Sequence, residues 1–152
     1  MEGKMRLLRK VIFLFIGFAI AEILYKYLFM NIFGGLLSNV DVPGSSLIIL
    51  SLYIVRPICI LAGSVVTGYN LNMVYDETYW GKYVYNPGIL VSLIMLIDLI
   101  TPIYNYGFGK LAHRMDDIMG WLICSLIYVI VSSFGVYCGN KMRMRKNGII
   151  KN

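Results

Sequence analysis

The sequence predicts an all-α integral membrane protein, built as a bundle of four transmembrane helices with short loops. Of the 152 residues, 59% are hydrophobic and only 14% are charged, whereas soluble proteins carry about 25% charged residues. The mean hydropathy is +0.71, and four apolar runs approach the ~20 residues that a helix needs to cross a bilayer. We therefore expect a single domain with helices over residues 11–33, 45–68, 88–106 and 118–138 and with basic tails over residues 1–10 and 140–152.

The composition also limits the partners and the chemistry. A net charge of +6 would favour nucleic acid as the partner of a soluble protein, but the cations here cluster beside membrane helices, so no nucleic-acid partner is expected. The three cysteines stand singly in apolar runs, without a CxxC motif or a nearby histidine, and are expected to be buried free thiols. We therefore expect neither a metal site nor a cofactor. These cysteines are Cys59, Cys124 and Cys138.

The first helix follows the basic residues 1–10. A basic segment, an apolar run and then Ala19-Ile20-Ala21 also imitate a signal peptide with its cleavage site. The apolar run continues past Ala21 without a polar region, so we predict a retained transmembrane helix. Glu22 lies near its midpoint, and Lys26 follows at the i,i+4 spacing that favours a same-face pair. Alternatively, Lys26 extends to the membrane interface.

The second helix carries Arg56 at its centre, followed by Pro57. An arginine in the middle of a membrane helix costs about 2.5–3.5 kcal/mol, which the surrounding Leu, Ile and Val offset at about 0.3–0.6 kcal/mol each. The helix is therefore expected to insert, and Arg56 to need a partner within the membrane, which is Asp98, Glu22 or both. Pro57 leaves the carbonyl of Tyr53 without a donor and predicts a kink. One face combines polar and small residues, a pattern more typical of a packing seam than of a pathway: Tyr53, Arg56, Cys59, Gly63 and Thr67.

The third helix opens with Pro87-Gly88 and contains one charge, Asp98. Pro102 follows four residues later, so the carbonyl that it leaves unpaired belongs to Asp98 itself. The later half of this helix is locally polar, because Asp98 shares a face with Thr101 and Asn105.

The fourth helix is uncharged from residue 118 to residue 138 and ends in the GxxxG pattern Gly135 to Gly139. This pattern permits close helix contact in an apolar helix, so Gly63, Gly135 and Gly139 are predicted packing positions. His113 precedes Asp116 and Asp117 at a spacing that would present metal ligands on a helix. An exposed histidine followed by an aspartate that caps the fourth helix is the better interpretation.

Charge distribution predicts the topology. The two tails hold nine of the fourteen cations, and four crossings put both tails on the same side. The positive-inside rule then places both termini in the cytoplasm of a multi-pass cell-membrane protein, with the connections of residues 34–43 and 107–117 outside. With that orientation, Glu22, Arg56 and Asp98 reach about the same depth, roughly 15–18 Å from the cytoplasmic ends of their helices.

We consider three functional hypotheses, of which the first two follow from the common depth of these three charges. The leading one is a small protein that oligomerises and forms a pathway for an ion or small solute, lined by Glu22, Arg56 and Asp98 with Tyr53 and Thr101 as neutral neighbours. The alternative is a non-catalytic subunit or anchor of a larger membrane complex, in which the charges fix helix pairing. The weakest is an enzyme acting on lipid headgroups through Asp76 and Glu77, among the interfacial aromatics of residues 70–86. No catalytic motif is present in the sequence, so we expect that the protein is not an enzyme and that its partners are the lipid bilayer and either further copies or other subunits.

Overall fold

The computed structural model describes residues 2–33, 35, 49–71, 84–106 and 115–147, and these residues are helical almost throughout, without a strand. Two of the helical stretches are long and apolar enough to cross a membrane, Ser51–Leu71 at a mean hydropathy of 1.5 and Ile118–Lys146 at 2.0. The all-α class is therefore confirmed for the described residues. The four long helices are α1, Glu2–Leu28, continued by a π-helical turn, Phe29–Phe33; α2, Arg56–Leu71, preceded by a π-helical turn, Ser51–Val55; α3, Pro87–Tyr106; and α4, Met115–Lys146.

Two helices extend into the segments that the sequence predicts as basic tails. Helix α1 begins at Glu2 instead of residue 11, and α4 continues to Lys146 instead of residue 138. Both extensions are rich in Met, Arg and Lys, which are strong helix formers. The cations at the end of α4 also interact favourably with the negative end of its dipole, and the backbone N–H of Asn147 still bonds to the carbonyl of Arg143 at 3.0 Å. With these extensions, α1 has 27 residues and α4 has 32.

The starts of α3 and α4 differ slightly from their predicted positions. Asn86 caps α3, because its Oδ1 accepts a hydrogen bond from the backbone N–H of Gly88 at 2.8 Å. Pro87 occupies the first helical position, which needs no backbone donor. Helix α4 begins at Met115, so Asp116 and Asp117 lie in its first turn instead of capping it. A negative charge in a first turn stabilises the helix through its dipole.

The four helices alternate in direction. Antiparallel contacts join α1 to α2, where Thr67 donates to the carbonyl of Phe13 and Arg56 to Glu22, and they also join α3 to α4. Helices α2 and α4 run parallel, because Tyr128 contacts Leu52 near one end of the pair and Arg143 contacts Tyr69 near the other. Around the bundle the order is α1, α2, α4, α3, with a smaller contact between α3 and α1 closing the ring.

All four helices contribute to one buried core. Its members are packed together by partly buried neighbours such as Phe18 and Met95. Arg56 lies beside this core, with its Cζ 5.9 Å from the ring centroid of Tyr128. The core residues are Ala21 from α1, Ile60 from α2, Val91 from α3, and Cys124 and Tyr128 from α4.

Candidate functional site

The centre of the candidate site is an ion pair between α1 and α2. Arg56 Nη2 donates to Glu22 Oε1 at 2.9 Å, and the two side chains are 14% and 22% exposed. Arg56 therefore has a carboxylate partner within the bundle, as the sequence predicts that it needs. Glu22 does not pair with Lys26, whose side chain is exposed on α1.

Two tyrosine rings enclose the guanidinium group of Arg56. Its Cζ lies 4.9 Å from the ring centroid of Tyr25 and 5.9 Å from that of Tyr128. At these distances the electron-rich face of an aromatic ring attracts a cation. Tyr25 lies on α1, three residues after Glu22, and its hydroxyl is hydrogen-bonded to Ser51 at 2.6 Å, which fixes the ring beside the arginine.

The π-helical turn before Arg56 explains the position of Tyr128. The backbone N–H of Arg56 bonds to the carbonyl of Ser51, five residues earlier. In this register the next donor would belong to Pro57 and its acceptor would be the carbonyl of Leu52, but proline has no N–H. Tyr128 supplies the missing donor, since its hydroxyl bonds to the Leu52 carbonyl at 2.9 Å. In the π-helical register, the carbonyl that Pro57 leaves without a backbone donor is that of Leu52. The sequence analysis predicted the carbonyl of Tyr53 because it assumed an α-helical register.

The Nε donor of the guanidinium group remains available. Arg56 Nε is buried and has no hydrogen-bond partner among the described residues. An unpaired buried donor costs free energy unless another group satisfies it. The site therefore combines a neutralised charge pair with a buried N–H group, at Arg56 Nε, that is free to bind another group.

Asp98 is not part of this site. Its side chain is exposed on α3, and no ion pair connects it to Arg56 within the described part of the chain. Ala21 and Val91 meet in the same core cluster, and Glu22 lies one residue beyond Ala21, whereas Asp98 lies seven residues beyond Val91. Asp98 is consequently about 9 Å farther along the bundle than Glu22. The sequence analysis counted the depths of Glu22 and Asp98 from the predicted helix starts, residues 11 and 88. These two starts do not lie at the same height along the bundle, so the predicted common depth is not found.

Tyr53 and Thr101, the predicted neutral neighbours, are separated as well. Tyr53 is partly buried against the core. Thr101 is exposed, and its hydroxyl bonds to the carbonyl of Ile97 on its own helix at 2.8 Å. The five residues predicted to line one pathway therefore divide between the bundle interior and the outer face of α3.

The predicted packing glycines lie where helix backbones meet. A Cβ atom on Gly63 would overlap the backbone of Gly17, and one on Gly139 would lie 2.7 Å from the backbone nitrogen of Tyr69. A Cβ on Gly135 would lie 2.7 Å from Cβ of Ser64. Gly63 thus serves the contact between α1 and α2, while Gly135 and Gly139 serve the contact between α4 and α2.

A buried polar network, which the sequence analysis did not identify, connects α2, α3 and α4. Ser64 and Ser132 share a hydrogen bond at 2.5 Å, and Ser132 also accepts from the backbone N–H of Gly88 at 3.0 Å. Asn86 extends the network by donating to Ser133 at 2.8 Å. Ser132, four residues after Tyr128 and on the same helix face, is the sequence signal that could have predicted this network, because buried hydroxyls in membrane helices commonly form hydrogen bonds with a neighbouring helix.

The remaining predicted features concern cysteines and loop residues. All three cysteines are free; Cys59 and Cys124 are buried, and Cys138 is partly buried. Within the described residues, no group of three or more His, Cys, Asp and Glu side chains is arranged to hold a metal ion. His113, Asp76 and Glu77 lie outside the described residues.

Comparison of the chain with known protein families, proteins and structures finds no match. No family model matches the chain, and no curated protein and no solved structure matches it either.

Proposed function

We propose that the protein is a four-span integral membrane protein that acts as a non-catalytic subunit of an assembly within the bilayer. The membrane assignment is supported by large apolar side chains exposed on the outer faces of all four helices. Soluble monomers rarely expose contiguous apolar patches of this kind, whereas lipid solvates them. Examples are Ile12, Phe15 and Ile23 on α1, Ile58 on α2, Leu93 and Ile97 on α3, and Leu126, Ile130 and Phe134 on α4.

The proposed orientation places both termini in the cytoplasm. Lys10 of α1 lies over the ring of Tyr85 at 5.6 Å, and Arg143 of α4 donates to the carbonyl of Tyr69 at 2.8 Å. Tyr69 and Tyr85 flank the connection between α2 and α3, so both basic ends and this connection share one end of the bundle. Such a concentration of cations supports the cytoplasmic side of a cell membrane.

A single observation carries the assembly role, the position of Asp98. The Arg56 charge is already neutralised by Glu22 inside the bundle, while Asp98 is presented outward on α3 between exposed apolar residues such as Ile94 and Ile97. A carboxylate facing lipid is unfavourable, and intramembrane charges pair with a neighbouring group. The outer face of α3 is therefore proposed as a contact with another membrane helix.

This proposal is tested by extracting the full chain from its native membrane in mild detergent. We expect a stable complex for the parent and for Asp98→Glu, which keeps the charge, and a loss of the complex for Asp98→Asn. Size and composition, measured by native mass spectrometry, distinguish further copies from foreign subunits. A parent protein that is monomeric and alone would overturn the proposal.

A pathway for an ion or small solute is the second candidate, favoured by the unpaired Nε of Arg56 and the partial exposure of Glu22. Under this hypothesis Glu22→Gln folds, assembles like the parent and abolishes a flux in proteoliposomes. Under the assembly hypothesis the parent itself conducts no flux above empty liposomes. The flux assay therefore separates the two functions.

A further inference from the structure

Two residues of opposite charge lie on the outer surface of the bundle, away from the buried ion pair. Lys26 is exposed on α1 and Asp98 is exposed on α3. Neither forms an ion pair with another of the residues that the structure describes. Each is surrounded by exposed apolar side chains, with Ile23 and Tyr27 beside Lys26 and Ile97 beside Asp98.

Lys26 belongs to one continuous outer face of α1. Its exposed neighbours recur at spacings of three and four residues, which places them on a single side of a helix. This face has no partner helix within the described part of the chain. We call it the α1 outer face, and it comprises Ile12, Ile16, Ala19, Ile23, Lys26 and Met30.

The two charges lie at similar depth. Helices α1 and α3 run in the same direction, and Ala21 of α1 and Val91 of α3 both belong to the common core cluster, which serves as the reference level. Lys26 is five residues beyond Ala21, and Asp98 is seven residues beyond Val91, or about 8 Å and about 11 Å at the rise of an α-helix. The long lysine side chain spans the difference of about 3 Å.

The bundle order places α1 and α3 side by side. A two-fold axis along the membrane normal, next to these two helices, therefore sets α1 of one copy against α3 of the other, and α3 against α1. Such an interface is self-complementary. It brings Lys26 of each copy towards Asp98 of its partner, so that both lipid-facing charges in each chain are neutralised.

We propose that the chain forms a two-fold dimer in the membrane in which Lys26 of each copy pairs with Asp98 of the other. This inference rests on the proposed membrane assembly, for which it names a second copy of the chain as the partner. The attraction between opposite charges in lipid holds the two apolar faces in register.

Cross-linking between two differently tagged copies of the full chain tests the contact. The native cysteines are replaced by alanine, one copy carries Lys26→Cys, the other carries Asp98→Cys, and a short thiol-specific linker is added to native membranes. We expect a product that contains both tags. The matched control pairs Ile58→Cys with Leu126→Cys, which are equally exposed on α2 and α4 and should give no product. Absence of the first product overturns the inference.

Charge reversal supplies a readout that does not depend on cross-linking. Lys26→Glu and Asp98→Lys should each weaken the dimer by about tenfold or more, because each turns both attractive pairs of the dimer into repulsive ones. The combined variant should restore the dimer fraction of the parent. A dimer that is insensitive to both single reversals, or a foreign subunit that binds through Asp98, overturns this contact but leaves the assembly function intact. A parent that is monomeric and without any partner overturns both.

Discussion

At the scale of single residues, the neighbours of Arg56 compensate for the cost of burying its charge in the bundle. The guanidinium group receives one carboxylate and two aromatic rings from two neighbouring helices. Desolvating such a pair is expensive, and the Coulomb attraction compensates for it only when the geometry is good. We therefore infer that the pair contributes more to the choice of one packing of α1 against α2 than to the free energy of unfolding.

Removing one member of this pair should destabilise the protein more than removing both. We expect Arg56→Leu to lower the free energy of unfolding by about 3 kcal/mol, since it leaves the Glu22 carboxylate unpaired in the interior. The double variant Arg56→Leu with Glu22→Leu should recover most of that loss. Unfolding of both variants in mixed detergent micelles measures the difference. Equal losses for the single and double variants would mean that the two charges are not coupled.

The sequence predicted the need of Arg56 for a partner but left Glu22 and Asp98 as equal candidates. Spacing along a helix places a residue to within about one turn, and this is insufficient to rank two carboxylates that differ by one or two turns in depth. Tyr25 and Tyr128 were not predicted as neighbours of Arg56. Their position depends on the rotation of α1 and α4 about their axes, which the apolar pattern of an all-round hydrophobic helix specifies poorly.

At the scale of helices, close backbone contacts set how α2 packs. Small residues allow helices in membranes to approach until van der Waals contact and hydrogen bonds hold them together. Gly17 and Gly63 provide this between α1 and α2, and Gly68, Gly135 and Gly139 provide it between α2 and α4. The sequence predicted Gly63, Gly135 and Gly139 as packing positions. Gly17 and Gly68 carry no motif and were missed.

A comparison of two glycines in α4 tests this contact. Gly139→Ile should lower the free energy of unfolding by about 1–3 kcal/mol, the usual effect of overpacking, because its Cβ would meet the backbone of Val65 and Tyr69. Gly120→Ile is the matched control, since a Cβ there has only the Tyr53 hydroxyl within reach, at 3.9 Å. Thermal unfolding in detergent measures both. If the two substitutions have the same effect, the glycine contact between α4 and α2 makes no specific contribution to the free energy of unfolding.

At the scale of the whole molecule, charge and apolar surface are distributed along one axis. Basic side chains of α1 and α4 meet the tyrosines at one end of the bundle, and apolar side chains cover the outside between the ends. The four apolar runs of the sequence were sufficient to predict the all-α class and the number of helices, because runs of this length without turn residues favour helices. The ends of α1 and α4 were not predictable from hydropathy, since a basic helix and a basic tail have the same composition.

Orientation and membrane insertion can be tested together with single cysteines in a chain whose native cysteines are replaced by alanine. An impermeant maleimide should label Ser38→Cys and Gly109→Cys in intact cells, because both positions fall in the connections predicted outside. It should label Asn147→Cys, at the end of α4, only after lysis, since the positive-inside rule places the basic end in the cytoplasm. Leu126→Cys, on the exposed apolar face of α4, should remain unlabelled in both conditions because lipid excludes the charged reagent. Labelling of Asn147→Cys in intact cells reverses the orientation, and labelling of Leu126→Cys after lysis means that water, not lipid, covers the outer surface of the bundle.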